Sequence, residues 1–506
     1  MRIKDAGKTA RIATIATMAL MVGWGTILLL FHAKPFWRDE WCIIANVKFK
    51  TPQMLWGPLD FVQQFPRVYL QIIKWFTASL DYNYFSLRFP AYFVSTTSLL
   101  FSYALMKKIF PSGNPARYLL PLILISDQVF MDYYVQIKHY EMEMLLGLVA
   151  IWQLMELIKI PADGIRSKLR YVLLCTGFLV FPFFSYTYPI ALCPVFILVF
   201  MQGIGIVRKG GTDSVSKQRL MLQWLPLILC ICSIVVFYII DVSQLMADKN
   251  MHMYWDNRLK WHKTIWNSVF GNIWYLFAKV GSGLLFEIIF GILGLAAFFS
   301  ALIQISKNTD LRTYGKDAWL RLYSIVLLIV VVVLFLTGKL PVGEAKFNAF
   351  AIPAISILII FFIDSMGQYT WYRKFTGALQ IVLFLGLIGN VVSGFMNMFT
   401  SSEYTKRIDI YNTTEHAIKL AYDKKLPVLV TPQVGFPDDI NAKVKFITMP
   451  DAAGVFKTFP AYKTSDSLAV YSILKTGDVK GYIGKLPPQT HSVLVVDGTS
   501  FQVVNL

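Results

Sequence analysis

Apolar residues run in blocks along this chain, and the polar residues gather in the links between them. Eleven blocks come close to the ~20 residues a helix needs to cross the hydrocarbon of a bilayer. They fall at about 12–31, 88–106, 116–132, 139–158, 171–186, 189–207, 220–240, 284–305, 319–337, 347–366 and 376–399. The first block follows Arg2, Lys4, Lys8 and Arg11, is too long for a signal-peptide core, and shows no convincing small-residue cleavage site. It reads as an uncleaved helix whose basic flank places the N-terminus in the cytoplasm. Alternation from that start can be tested. The links expected inside hold Lys107, Lys108 and Arg117; Lys159, Arg166, Lys168 and Arg170; Arg208, Lys209, Lys217 and Arg219; Lys307, Arg312, Lys316 and Arg321; and Arg373 and Lys374. All are basic, while the short outer links near 132–136 and 185–188 carry no Lys or Arg. This topology puts the C-terminus outside.

Two outer loops are long, 32–87 and 241–283. Within the first, 66–80 mixes Val68, Ile72, Ile73, Trp75 and Phe76 with Gln71 and Lys74, which predicts a helix lying in the membrane interface. The second carries Trp255, Trp261, Trp266 and Trp274, and reads either as a segment at headgroup level or as a soluble cap. Beyond residue 400 polar residues increase. A helical stretch near 414–422 leads into β-type segments at 427–430, 444–448, 468–473 and 493–496, a pattern of ordinary small-domain size. The expected architecture is therefore an all-α polytopic membrane bundle of about eleven transmembrane helices over 1–399, followed by a small α/β extracytoplasmic domain over 400–506.

Composition agrees with a membrane chain. Charged residues are 15% against 56% hydrophobic, where soluble domains carry about 25% charged. The net charge of +18 does not indicate nucleic acid, because the cations sit in clusters between apolar runs and not on one basic face. Of five cysteines, Cys175, Cys193, Cys230 and Cys232 lie within apolar runs and none has metal-ligand spacing. Cys42 follows an acidic pair in the first outer loop.

That pair belongs to the strongest local signal, Pro35-Phe36-Trp37-Arg38-Asp39-Glu40-Trp41. Adjacent carboxylates beside an Arg, framed by Trp at a membrane surface, are either functional or the solvated charges of an exposed loop. The arrangement resembles the C-type (GT-C) fold of polyprenyl-phosphate-sugar-dependent glycosyltransferases, the superfamily of protein O-mannosyltransferases and lipid A aminoarabinose transferases. In that family an Asp-Glu pair lies in the first outer loop, as Asp39-Glu40 does here. The segment from Gln63 and Gln64 through Phe65-Pro66-Arg67 to Leu70 is similar to the family's interfacial segment, and Arg88-Phe89-Pro90 to its Arg-x-Pro at the second spanning helix. Tyr133 to Glu143, with Lys138-His139-Tyr140, is similar to the basic-x-Tyr opening of a later helix. Lys346-Phe347 through Pro353 resembles a late segment in which a basic residue precedes a Pro-containing helix. Many members have His-Pro-Pro where this chain has Gln64-Phe65-Pro66, and Arg in place of Lys138 or Lys346, departures that bear on sugar and acceptor preference.

The resemblance implies sugar transfer from a polyprenyl-phosphate donor to a lipid, glycan or protein acceptor, outside the bacterial cytoplasmic membrane. Such a reaction breaks a C1–O bond through an oxocarbenium-like state. The attacking hydroxyl must lose a proton, for which Asp39 is the candidate base. Glu40 would orient the sugar or a basic neighbour. The departing phosphate calls for fixed cations, and Arg38, Arg88, Lys138 and Lys346 all fall at outer helix ends. His139 either assists there or is structural. Tyr140 and Glu143 are one helical turn apart, and Glu143 either serves the site or balances Lys138. No HExxH, Asp-x-Asp turn or His/Cys cluster is present, so a divalent metal is not implied. The competing readings are a transporter or flippase for lipid-linked saccharides, a polymerase or ligase using them, and a non-enzymatic receptor.

Overall fold

Long apolar runs become helices, and the chain is mostly helical. The computed structural model describes residues 3–30, 36, 38–59, 63–160, 168–208, 214–247, 255, 266–281, 283–307 and 315–366. Beyond these it describes 385, 386, 388, 389, 392, 396, 413, 416, 417, 420, 421, 423–430, 470–472, 490–497 and 500–505. The chain divides into two compact units. One comprises Met1–Gly25, Phe65–Tyr69 and Ala91–Val392; the other comprises Thr26–Gln64, Leu70–Pro90 and Ser393–Leu506.

The helices are α1 (Ile3–Leu30), α2 (Arg38–Phe49), α3 (Arg67–Ala78), α4 (Tyr84–Ile109), α5 (Leu119–Ser126), α6 (Gln128–Tyr133), α7 (Tyr140–Ile158) and α8 (Lys168–Val180). They continue as α9 (Tyr188–Arg208), α10 (Ser214–Phe237), α11 (Ser243–Ala247), α12 (Trp266–Ala278), α13 (Leu284–Lys307), α14 (Lys316–Leu336) and α15 (Ile352–Met366). Among the described residues five stretches are long and apolar enough to cross a membrane: Ala10–Leu30, Lys217–Met246, Leu284–Lys307, Lys316–Leu336 and Ala345–Met366.

Local chemistry explains where other runs differ from unbroken spans. The run at 116–132 is interrupted at Asp127, whose side chain accepts from the Phe130 amide at 2.8 Å and so caps α6. That leaves α5 only about 12 Å long at 1.5 Å per residue, too short to cross alone. The run at 171–186 ends as a helix at Val180 and continues as a 3-10 turn, Phe181–Phe184, in which Pro182 lacks a backbone donor. The run at 347–366 starts as a 3-10 helix, Ala345–Ala351, before α15. The last run, 376–399, lies outside the described residues except for scattered helical positions.

In the first unit α7 packs closely against that 3-10 segment. A Cβ on Gly147 would overlap the carbonyl oxygen of Phe350, so only glycine allows this approach. The second unit contains α2, α3 from Leu70 onward, and the start of α4. The helix expected over 66–80 forms as α3, and the acidic pair lies at the start of the helix α2 where a loop was expected. The same unit holds a four-stranded sheet of order β2-β1-β3-β4. Its strands are β1 (Val428–Val430), β2 (Val470–Ser472), β3 (Ser492–Asp497) and β4 (Ser500–Asn505). The first three are mutually parallel and β4 is antiparallel. Val428, Leu429 and Val493 through Val496 are buried, as in strands covered on both faces. The expected segment at 444–448 lies outside the described residues. β4 adds to the expected strands and pairs with β3.

Candidate active site

The second unit encloses a buried ion pair. Glu40, in the first turn of α2, and Arg88, one turn into α4, are both 0% exposed. Arg88 Nη1 lies 3.2 Å from Glu40 Oε1, and Nη2 donates to Oε2 at 3.4 Å, so the two planar groups meet in fork geometry. Rings wall the guanidinium. Its carbon is 4.5 Å from the Phe36 ring centre and 4.9 Å from that of Tyr84. Phe36 also meets Trp41 edge-on at 5.3 Å. Glu40 is thus not the solvated loop carboxylate that one reading of the motif allowed. Arg38 and Asp39 are the first two residues of α2.

Lys74 fastens α3 to the end of α2. Its ammonium donates to the Val47 carbonyl at 2.7 Å, and burial pushes its pKa below the usual lysine value. Gln71 donates to the carbonyl of Pro52 in the same unit. Gln64 is half-buried just before the first unit resumes at Phe65.

In the first unit a second polar network forms around the start of α7. His139 occupies the N-cap position of α7, and its Nε2 stands 3.5 Å from Glu143 Oε1. Lys138 and Lys346, distant in sequence, both act electrostatically on His139, so the structure gathers these three predicted residues. Lys346 also pairs with Glu344 at 3.3 Å and lies over the Phe347 ring. Tyr140 packs between Tyr133 and Phe347, at 4.7 Å and 6.1 Å between ring centres. Glu143 is further held by a hydrogen bond with Thr187.

Other members of this network were not assigned a site role from the sequence. Asp241 lies in a one-turn π-helical segment, Tyr238–Val242, continuing α10; such bulges are frequent at functional sites. Its carboxylate accepts from the Arg67 amide at 2.7 Å, while Arg67 Nε is 3.9 Å away. The Tyr186 hydroxyl stands 2.8 Å from Asp241 Oδ1 and 3.0 Å from the Phe65 carbonyl. Tyr69 donates to Glu141 Oε1 at 3.1 Å, and burial, then the Glu141 charge, raises the phenol's pKa. The Phe65 ring lies 5.4 Å from the His139 ring, linking the two parts. The available signal was an acid closing a twenty-residue apolar run at Asp241, and an arginine inside the interfacial segment already noted at Arg67. Among the described residues no cluster of three or more His, Cys, Asp or Glu has the arrangement of a metal site.

No protein-family model matches this sequence, and no curated protein matches it. Similarity appears in three dimensions. The crystal structure of ArnT from Cupriavidus metallidurans bound to undecaprenyl phosphate superposes with a TM-score of 0.51 over 97% of each chain, at 10% sequence identity. An identity this low speaks for the fold alone. The chain shares the fold of that protein, a C-type (GT-C-like) fold, as the acidic pair and the helix-start motifs led one to expect.

Proposed function

We propose that this chain is an integral membrane glycosyltransferase that moves a sugar from a polyprenyl phosphate to an acceptor on the extracytoplasmic face. The observation that carries this reading is likeness along the whole of both chains to a protein crystallised with undecaprenyl phosphate. Apolar helices long enough to cross a bilayer support its placement in the bacterial cytoplasmic membrane. The proposal keeps the eleven spans, a cytoplasmic N-terminus, and an outer domain from residue 400.

In the reaction, an acceptor hydroxyl attacks C1 of the sugar, the C1–O bond to phosphate breaks, and polyprenyl phosphate departs. Attack opposite the leaving group inverts C1. Asp39 takes the acceptor proton. Glu40 and Arg88 act by positioning: their closed pair fixes the first turns of α2, which carry Asp39. Arg38 neighbours the base in sequence. Lys138 and Lys346, which both act on His139, supply positive charge for the departing phosphate, with Glu143 holding the imidazole. Tyr140 supports this cluster through its rings, and Gln64 is assigned to the sugar side.

The test is incubation of the purified chain in nanodiscs with undecaprenyl-phosphate-linked sugars and a cell-envelope acceptor fraction. Release of free undecaprenyl phosphate is expected, with a fall of at least about a hundredfold in Asp39→Asn, since general-base catalysis contributes roughly 10²–10⁴. Lipid movement between leaflets that survives Asp39→Asn, with no release, would overturn the proposal in favour of a flippase.

A further inference from the structure

At the ends of α4 and α7 and the starts of α8, α10 and α14, the first unit collects positive charge around Lys159. Lys108 pairs with Glu156 at 3.2 Å, tying the end of α4 to that of α7. Arg219 of α10 donates to the Ile158 carbonyl at 3.5 Å, and Gln223 to that of Leu157 at 3.0 Å. Lys316, Lys108 and Arg170 all act on Lys159 as like charges, with Glu156 opposing them. Helix direction adds to the imbalance. α8, α10 and α14 present their N-terminal, positive ends here, with Lys168 and Arg170, Arg219, and Lys316 in their opening turns. Lys159, at the C-cap of α7, and Lys108, in the last turn of α4, sit favourably. Asp317 follows Lys316, but its charge acts on Arg321.

Such an assembly is stabilised by an anion. Two further observations indicate its kind. Arg219 Nε is buried with no hydrogen-bond partner among the described residues. Beside Arg170, Leu169, Val172 and Leu173 of α8 are 68%, 57% and 55% exposed, forming an apolar strip directly next to the cations.

We propose that this cluster binds the phosphodiester headgroup of an anionic phospholipid, whose acyl chains lie along the exposed apolar strip of α8. A free phosphate would satisfy the cations but leave that strip uncovered. The inference does not depend on the transfer reaction.

The experiment measures binding of phosphatidylglycerol and phosphatidylcholine to the purified full chain in neutral detergent, by native mass spectrometry. Phosphatidylglycerol should bind at least about tenfold more tightly. Removing two basic contacts in Lys159→Gln/Lys316→Gln should weaken it about thirty-fold. In lipid-free detergent the same variant should melt no lower than the native chain, because like-charge repulsion is relieved; a cluster serving only the fold would melt lower. Lys339→Gln, a change to an exposed lysine at the other end of α14, should leave binding unchanged. Should the double variant fail to fold, Lys316→Gln alone should weaken phosphatidylglycerol binding about fivefold. Equal affinity for the two lipids, equal weakening by Lys339→Gln, or displacement of the lipid by inorganic phosphate at matching concentration would each overturn the proposal.

Discussion

Two buried arginine–carboxylate contacts among the described residues, Arg88–Glu40 in one unit and Arg67–Asp241 in the other, are built on opposite plans. In the first, guanidinium and carboxylate meet face to face at 3.2 Å and 3.4 Å inside a wall of rings. In the second, the short contact is from the Arg67 backbone amide, at 2.7 Å, while the side-chain nitrogen Nε is 3.9 Å away. Arg67 is the first residue of α3, so Asp241 satisfies one of the amides that a helix start leaves without an internal partner. The contrast separates two uses of buried charge. The first pair is buried charge neutralisation between two side chains, each 0% exposed. The second is a backbone junction, in which a carboxylate is shared among an amide, a tyrosine hydroxyl and a guanidinium.

The comparison breaks most visibly at Glu40. Glu40→Gln strands the Arg88 charge at a fully buried position, which typically costs 3–5 kcal/mol where one member of a buried pair is removed. Unfolding in detergent should register that loss, and the double variant Glu40→Leu/Arg88→Met should recover most of it. A single variant that melts with the native chain would show that the pair is not closed. Next in size is Asp241→Ala, at about 1.5–3 kcal/mol for hydrogen bonds to a charged group. Asp241→Asn keeps an acceptor for the Arg67 amide and should lose only about 1 kcal/mol, the value of an ordinary hydrogen bond. If Asn and Ala prove equally damaging, the charge and not the backbone junction carries the contact, and the distinction between the two plans fails.

These contacts also mark how far the sequence could be read. Apolar runs locate most of the helices, and the mixed face of 66–80 locates α3, because burial in a membrane or at its surface depends on local composition. The acid pair at Asp39 and Glu40 was visible for the same reason, being adjacent. The partner of Glu40 was not singled out, because it is an arginine 48 residues away, and Arg67 meets an aspartate 174 residues away. The approach of Lys346 to His139 depends on Gly147 letting α7 lie against the Phe350 backbone, a three-dimensional condition that a glycine in an apolar run does not announce. The break at Asp127 is a different case. Its capping chemistry was present in the sequence, but an acid inside a long apolar stretch reads as readily as a tolerated interruption of one helix.

Tyr186→Phe probes the junction more gently. It deletes one hydroxyl, 2.8 Å from Asp241 and 3.0 Å from the Phe65 carbonyl, and should cost about 1 kcal/mol in unfolding free energy. Because Asp241 keeps the Arg67 amide, this variant should leave the effect of Asp241→Asn reduced but not abolished in a double-mutant cycle. Full additivity would mean that the tyrosine and the aspartate hold the segment independently.

The smallest effect asks what a buried cation does with no acid opposite it. Among the described residues no carboxylate pairs with Lys74; its ammonium rests on the Val47 carbonyl at 2.7 Å, one of the last carbonyls of α2, and lies 3.4 Å from the Tyr82 hydroxyl. The carboxyl end of a helix suits a cation, yet burial still lowers the pKa. With the folded value below the unfolded one, the unfolded chain holds more protons between the two, so stability must rise with pH through that window, which closes near the free-lysine value of about 10.4. Melting temperatures of the native chain and Lys74→Met, measured from neutral pH upward, should therefore differ in a direction that increasingly favours the native chain within the window and is flat below it. Parallel curves would mean that a carbonyl at a helix end compensates a buried ammonium as completely as Glu40 compensates Arg88, and the need for a paired acid at that site would lose its physical basis.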